Sequence, residues 1–529
     1  MKSNRRHVRL LSTALTLVML MAGFVSAGVE KPLVIFNHDA GAGSLTQFEP
    51  PITPEQVCRQ FNELEGTSVD VFLFCCNIGG DVFLYPTNIA ERCGANISDW
   101  NVVHKYYRNE LRRAKGNLEA LRKAGLDPIE IIQRRSRELG IRFWITMRMN
   151  EIHEDDVRWG SLRSQFKLAN RHMLLEKDYP LTGIGYAEKF GYSYAWDYGR
   201  SETRRHIVAV LTEMLDRYEL DGLELDFMRH PLFFRRGEQA SSASLMTELL
   251  RKLRAEVDRV SKKKGRPIVL AVRVYPSLAQ NEKIGLEPRT WIKQGLVDLV
   301  TPMDPDYMDM QPKLREFVDA ARGTNVKIAG GLENYTHDYG PLSKQQAFAA
   351  ASAFLEQGAG AIYFFNYDCH RHKGRLNKYT SQEVEILTTI GHPERYVRAD
   401  KHYFVTRDPS RKPPEKGRTI QLPFKLTSGT GQKFTFTVGD DLKSARSDEV
   451  LKAVRLTITF QGYDSKNDPA SIRLNEQSPG PEHLRLEDQT VRWDNAPARQ
   501  GNNVLTIILS GSTEKTISVE KIELQVDYR

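Results

Sequence analysis

Between residues 33 and 366, eight short runs of β-branched and aromatic residues alternate with longer stretches of helical periodicity. The runs lie at 33–37, 69–75, 142–148, 221–226, 268–274, 297–302, 326–331 and 361–366. A helix between two strands carries the chain back over the sheet, so consecutive strands run parallel. Eight such units close the sheet into an α/β structure, the (β/α)8 or TIM barrel. Helix starts are marked by Thr53-Pro54 with Gln56, Asp127-Pro128 with Glu130, Ser343 with Gln346, and Thr380 with Glu383. In each, a side-chain oxygen can accept a hydrogen bond from the first turn. Gly66 and Gly140 stand where two of these helices should stop.

Beyond His392-Pro393 the helical periodicity gives way to period-two alternation at 433–438, 454–460, 504–509 and 517–526. Turn residues separate these runs, as in an antiparallel β-sandwich. A chain of 529 residues exceeds one ordinary domain. The expected organisation is a leader at 1–27, the barrel at 28–398 and the sandwich at 399–529. Pro409, Pro413 and Pro414 mark 406–417 as a linker or first loop. The sandwich is expected either to bind carbohydrate or to pack against the barrel.

Lys2, Arg5, Arg6 and Arg9 precede an apolar run at 10–25 and then Ser26-Ala27-Gly28, the layout of a cleaved signal peptide. The run is shorter than the ~20 apolar residues of a spanning helix, so a secreted or periplasmic protein is expected, with no membrane insertion after cleavage. The formal charge of +8 is spread along the chain; only Lys262, Lys263 and Lys264 form a basic run, which reads as a solvated helix end. No nucleic-acid partner is expected. A general attraction for acidic or sulfated polysaccharides is. Five cysteines are too few for a disulfide scaffold, and the odd number leaves one unpaired. Cys75 and Cys76 should face opposite sides of a strand, and Cys58 and Cys93 either pair or remain buried thiols. No cysteine pair has zinc-type spacing with histidine partners, and no metal or cofactor is expected. His38 with Asp39, and His370 with His372, have only generic spacing.

Side chains of a barrel strand alternate between lumen and helix layer, so parity identifies the residues that reach the active face. Leu223 and Leu225 take the outer side of the fourth strand. Glu224 and Asp226 therefore point inward, Asp226 nearer the C-terminal mouth where barrel enzymes act. The same reasoning brings Arg148 and Asn150, Arg273 and Tyr275, Asp304, Glu333, and Asn366 with Asp368 to the mouth. Carboxylates, amides, arginines and aromatics at strand ends suit a sugar site: one carboxyl group protonates the leaving oxygen and another stabilises or attacks the anomeric carbon. Asp226 is the expected catalytic residue, with Glu333 as first choice and Asp304 as second for its partner. Glu224 binds substrate or pairs with Arg148 or Arg273. Arg229 and His230 contact substrate or orient a loop, and Tyr192, Trp196 and Tyr275 offer ring platforms or core packing. The long insert at 151–199 falls in a βα loop over the same face.

The segment Asp221-Gly-Leu-Glu-Leu-Asp-Phe-Met-Arg-His-Pro231 resembles the fourth-strand signature of the family 10-like glycosyl hydrolase barrels. Residues 127–150 are similar to their preceding helix and third strand, and the resemblance spans about residues 30–395. It implies a carbohydrate substrate and hydrolysis or rearrangement of glycosidic bonds, with Asp226 at the family's strand-four acidic position. Against the chitinase-type family 18 pattern, Met228 stands where the proton donor belongs, so an acid from another strand has to act. A catalytically inactive carbohydrate-binding barrel is the alternative, and a metal-assisted hydrolase centred on His38, Asp39 and Asp226 is a further one.

Overall fold

The computed structural model describes residues 31–39, 43–153, 162–175, 194–304, 308–336, 338–369, 377–408, 419–510 and 516–529. The expected leader, Tyr192, His370, His372 and most of the 406–417 segment lie outside them. Residues 31–529 form one compact unit.

Eight strands close a parallel barrel: β1 (Leu33–His38), β2 (Val71–Cys75), β3 (Arg142–Arg148), β4 (Gly222–Asp226), β5 (Val269–Val274), β6 (Leu299–Pro302), β7 (Lys327–Glu333) and β8 (Ala361–Phe365). Each pairs with its neighbour in chain order, and β8 closes on β1. Every expected strand is present. The largest extension is in β7, which runs two residues past Gly331 to Glu333. Gly330 and Gly331 lie inside the strand, where glycine is unfavourable. They are there because of packing: a Cβ on Gly330 would lie 2.2 Å from the Phe354 ring, and one on Gly331 would lie 2.5 Å from Met303 Sδ.

The helix signals resolve as capping boxes at Thr53/Gln56, Ser343/Gln346 and Thr380/Glu383. Asp127 caps its helix by accepting from the Ile129 amide, and Gly140 ends that helix in the left-handed conformation. These caps satisfy amides and carbonyls that have no partner within the helix.

Alternating strand positions produce two apolar clusters. Leu223, Leu225, Ile328 and Leu332 belong to the layer beneath the helices, whereas Ile35, Leu73, Trp144, Ala271, Met303, Ala329 and Tyr363 fill the lumen. Trp144 fits because Gly222 leaves room for it; a Cβ there would lie 2.5 Å from the indole. Gly222→Ala is expected to lower unfolding free energy by about 1–3 kcal/mol through overpacking, read as a shift in the urea midpoint without a change in slope.

After the barrel come β9 (Lys401–Phe404), β10 (Gln432–Val438), β11 (Leu451–Gln461), β12 (Ala470–Leu474), β13 (Leu484–Glu487), β14 (Thr490–Asp494), β15 (Gly501–Leu509) and β16 (Ser518–Tyr528). They form two antiparallel sheets, ordered β9-β16-β11-β14-β13 and β10-β15-β12, as expected for a sandwich. The sandwich packs on the barrel. Thr406 Oγ1 accepts from the Met310 amide, Thr419 donates to Asp309, and Gln311 Oε1 accepts from the Thr437 amide. At the junction Lys401 is fully buried and donates to Asp440 Oδ1 at 2.8 Å and to the Tyr396 carbonyl at 2.8 Å. All five cysteines are free thiols, and among the described residues no helix is long and apolar enough to cross a membrane.

Candidate active site

At the end of β4, Asp226 is 2 % exposed and gripped by Arg273 of β5. Arg273 Nε donates to Oδ1 at 2.9 Å and Nη2 to Oδ2 at 3.2 Å, and the Met228 amide adds a third bond at 2.9 Å. The guanidinium lies 3.7 Å from the Phe365 ring centroid on β8, and its Nη1 donates to the Asp304 carbonyl at 3.4 Å. This bidentate, stacked geometry fixes the carboxylate's orientation.

Glu224 lies one inward position deeper. Its Oε1 accepts from Thr146 at 2.8 Å and from the Tyr363 hydroxyl, reaching across the lumen from β8, at 2.9 Å. Oε2 has no hydrogen-bond partner among the described residues. Burial, reinforced by the charge of Asp226, pushes the Glu224 carboxyl up to about 7. The expected direct pairing with Arg148 or Arg273 is not what forms. The register places both arginines beside Asp226 and sets Glu224 opposite Thr146 and Ala271.

A raised carboxyl stabilises the fold fully below its unfolded value of 4.5, and the contribution is lost as pH rises through about 7. The shift of 7 − 4.5 = 2.5 corresponds to about 3 kcal/mol. Glu224→Gln, which stays neutral, is expected to gain up to that amount relative to wild type as pH is raised from 4.5 to 8 in denaturant titrations. Parallel pH profiles would contradict the assignment.

Glu333 closes β7 in register with Phe365, and Asp304 follows β6; both are buried. Tyr275 is 9 % exposed, and its amide donates to Asn281 Oδ1. Asn366 is buried in the left-handed region at φ 49°, and its Oδ1 has no partner among the described residues. Asp368 is buried with Oδ2 3.2 Å from His38 Nε2.

A second network lines the β3 side. Asn77 Oδ1 accepts from the Arg148 amide, and its Nδ2 donates to the Arg148 carbonyl, fixing the end of β3. Arg148 then donates to Asp39 Oδ2 at 2.6 Å and to Glu151 Oε2 at 2.8 Å. Glu151 also pairs with His153, whose Nε2 accepts from Arg229 Nη2 at 3.2 Å. His230 is buried with Nδ1 3.7 Å from Glu151 Oε1. Burial, above all, holds the His230 imidazole well below its usual value. Burial alone would raise Glu151, but His153 and Arg148 draw it well below the carboxylate range.

Two expected substrate contacts need correction. Trp196 is fully buried, donates its indole N–H to the Gly80 carbonyl and carries Lys167 Nζ 4.6 Å over its ring, so it packs the core and offers no sugar platform. Asn150 is 1 % exposed; it accepts from the Trp196 amide and donates to the Trp196 and Leu232 carbonyls, joining two loops behind the mouth. Among the described residues His38, Asp39 and Asp226 do not bring ligand atoms within reach of one common ion, and His38 faces Gln60 and Asp368. The reading of the sequence missed Thr146, Tyr363, Glu151 and His153. Parity on 361–366 identifies Tyr363, which alternates inward with Ala361 and Phe365. Glu151 and His153 follow the strand end, where no periodicity applies.

No family model and no curated protein matches this chain. Among solved structures, it is similar to a noncanonic maltogenic alpha-amylase from Thermotoga neapolitana at 13% identity and TM-score 0.39, covering 91% of this chain and 100% of that one. It is also similar to an alpha-amylase from Geobacillus thermoleovorans at 9% identity and TM-score 0.38, covering 92% and 99%. A third likeness is the PgaB (BpsB) glycoside hydrolase domain from Bordetella bronchiseptica, at 9% identity and TM-score 0.41 over 68% and 99%. The barrel assignment rests on the strand register above and not on these likenesses.

Proposed function

We propose that this chain is an exported glycoside hydrolase that cleaves poly- or oligosaccharides by a two-carboxylate mechanism at the C-terminal mouth of the barrel. The observation that carries this reading is the layering of inward acids. Asp226 is fixed at the end of β4 above Glu224, whose carboxyl is raised to about 7, while Asp304 follows β6 and Glu333 ends β7 further round the same mouth. Acids whose surroundings differ this much are suited to different roles in one reaction. Asp226 stabilises or attacks the anomeric carbon, held in position by Arg273 and the Met228 amide. Glu333 protonates the leaving oxygen, with Asp304 as the second candidate. Arg229, Tyr275 and Asn366 orient hydroxyl groups around them, while the buried His230 and Asp368 support the mouth from behind.

The substrate is proposed to be acidic or sulfated, on the strength of a net charge that stays positive, at +4, once the leader with Lys2, Arg5, Arg6 and Arg9 is removed; Arg148 and Arg273 are already paired with carboxylates. Reducing-end release from neutral, uronic and sulfated polysaccharides across a salt series tests both parts. Preference for acidic glycans that fades with salt is expected. Equal rates without salt dependence would remove the polyanion element, and no release from any glycan would overturn the hydrolase reading. A binding-only barrel is the second reading, favoured by the engagement of both Asp226 oxygens with Arg273 and by the burial of Met228 at the chitinase-type donor position. It predicts saturable glycan binding without product, and binding that survives Asp226→Asn.

A further inference from the structure

We propose that Glu151, His153 and His230 form a binding site for one divalent transition-metal ion, with Zn²⁺ as its first candidate, on the β3–β4 side of the barrel mouth. One ligand atom from each residue lies within 4.8 Å of the others, and among the described residues no other group of three His, Cys, Asp or Glu side chains meets that condition. Glu151 and His153 come from the loop after β3 and His230 from the loop after β4, so the barrel, and not a local sequence motif, brings the donors together.

The donor chemistry selects the ion. Two imidazoles and one carboxylate suit Zn²⁺, Co²⁺ and related borderline ions, whereas Ca²⁺ and Mg²⁺ favour all-oxygen sets. The surrounding bonds hold the donors in place, as outer partners of a metal site do. Arg148 donates to Glu151 Oε2 at 2.8 Å, and Oε1 is the atom turned towards the two imidazoles. His230 Nδ1 lies 3.0 Å from the Asn150 carbonyl, and with its proton donated there the ring presents Nε2 as its metal-binding nitrogen. The charge of Arg148 is offset by Asp39; Arg229 donates to His153 Nε2, so coordination through Nδ1, which puts the ring proton on Nε2, requires Arg229 to turn away and lowers the affinity. Three protein donors leave a coordination position for water or a substrate oxygen.

The test is titration of the chelator-treated full chain with Zn²⁺ by calorimetry and with Co²⁺ by visible absorption, beside His153→Ala, His230→Ala and the exposed control His483→Ala. His153 is partly exposed, so its replacement places folding least at risk; thermal melting checks each variant. One ion per chain is expected for wild type and His483→Ala, with a metal-dependent rise in Tm and Co²⁺ ligand-field bands. Both signals are expected to be lost in the folded His153→Ala and His230→Ala proteins. Absence of stoichiometric binding in wild type, or binding undiminished in both folded site variants, would overturn the proposal. The titration uses no glycan, so its outcome is independent of the hydrolase reading.

Discussion

Asparagine in place of Asp226 is expected to lower glycan turnover by about 10³-fold or more, with the loss in kcat rather than KM. The substitution preserves size and leaves one oxygen to accept from Arg273 Nε and the Met228 amide. On the proposed mechanism it removes the charge that responds to the developing positive centre at the anomeric carbon. It also leaves the buried Arg273 guanidinium without its counter-charge, so a parallel loss of stability is expected. Kinetics are therefore measured well below the melting temperature of the variant. A companion Asp226→Asn/Arg273→Met protein, which removes both charges, is expected to regain stability without regaining turnover. Recovery of turnover in that protein would assign the single-variant loss to misfolding.

Alanine at Asp440 is expected to destabilise the whole chain by about 3–5 kcal/mol in urea titration, because it strands a buried ammonium group. Lys401 and Asp440 have no exposed side-chain surface, and Asp440 also accepts from the hydroxyls of Tyr403 and Tyr528. Lys401 further donates to the Tyr396, Val397 and Ala399 carbonyls, so the cluster joins the last barrel segment to β9 and β16. Burial lowers the Lys401 ammonium below its ordinary value, as expected where the charged form survives only through its partner. Lys401→Met with Asp440→Leu is expected to recover most of the loss, since a well-packed apolar pair replaces the ion pair without leaving a charge unpaired. An Asp440→Ala protein as stable as wild type would show that the junction does not depend on this cluster.

The barrel was legible because its strands obey a local rule: Leu223 and Leu225 against Glu224 and Asp226 state the inward face within five residues. Caps such as Thr53/Gln56 and Ser343/Gln346 were equally local, and each formed. The partnerships were not local. Glu224 was expected to bind substrate or to pair with an arginine, but cross-strand register sends Arg273 to Asp226 and leaves Glu224 to Tyr363, 139 residues away. Trp196 reads as a platform by residue type; its burial comes from Gly80 and Lys167, which the sequence does not place beside it. The Glu151, His153 and His230 group has no spacing signature because it joins two loops across a strand pair. Lys401 carries no sign in the sequence of being the buried half of an ion pair.

The most direct test of the hydrolase account is release of reducing ends from the preferred polysaccharide by wild type, Asp226→Asn and Glu333→Gln, all shown to be folded and to bind the glycan. Release by wild type and loss of about 10²–10⁴-fold in both variants is the predicted result. Undiminished release by both folded variants, or tight binding without product by wild type, would contradict it.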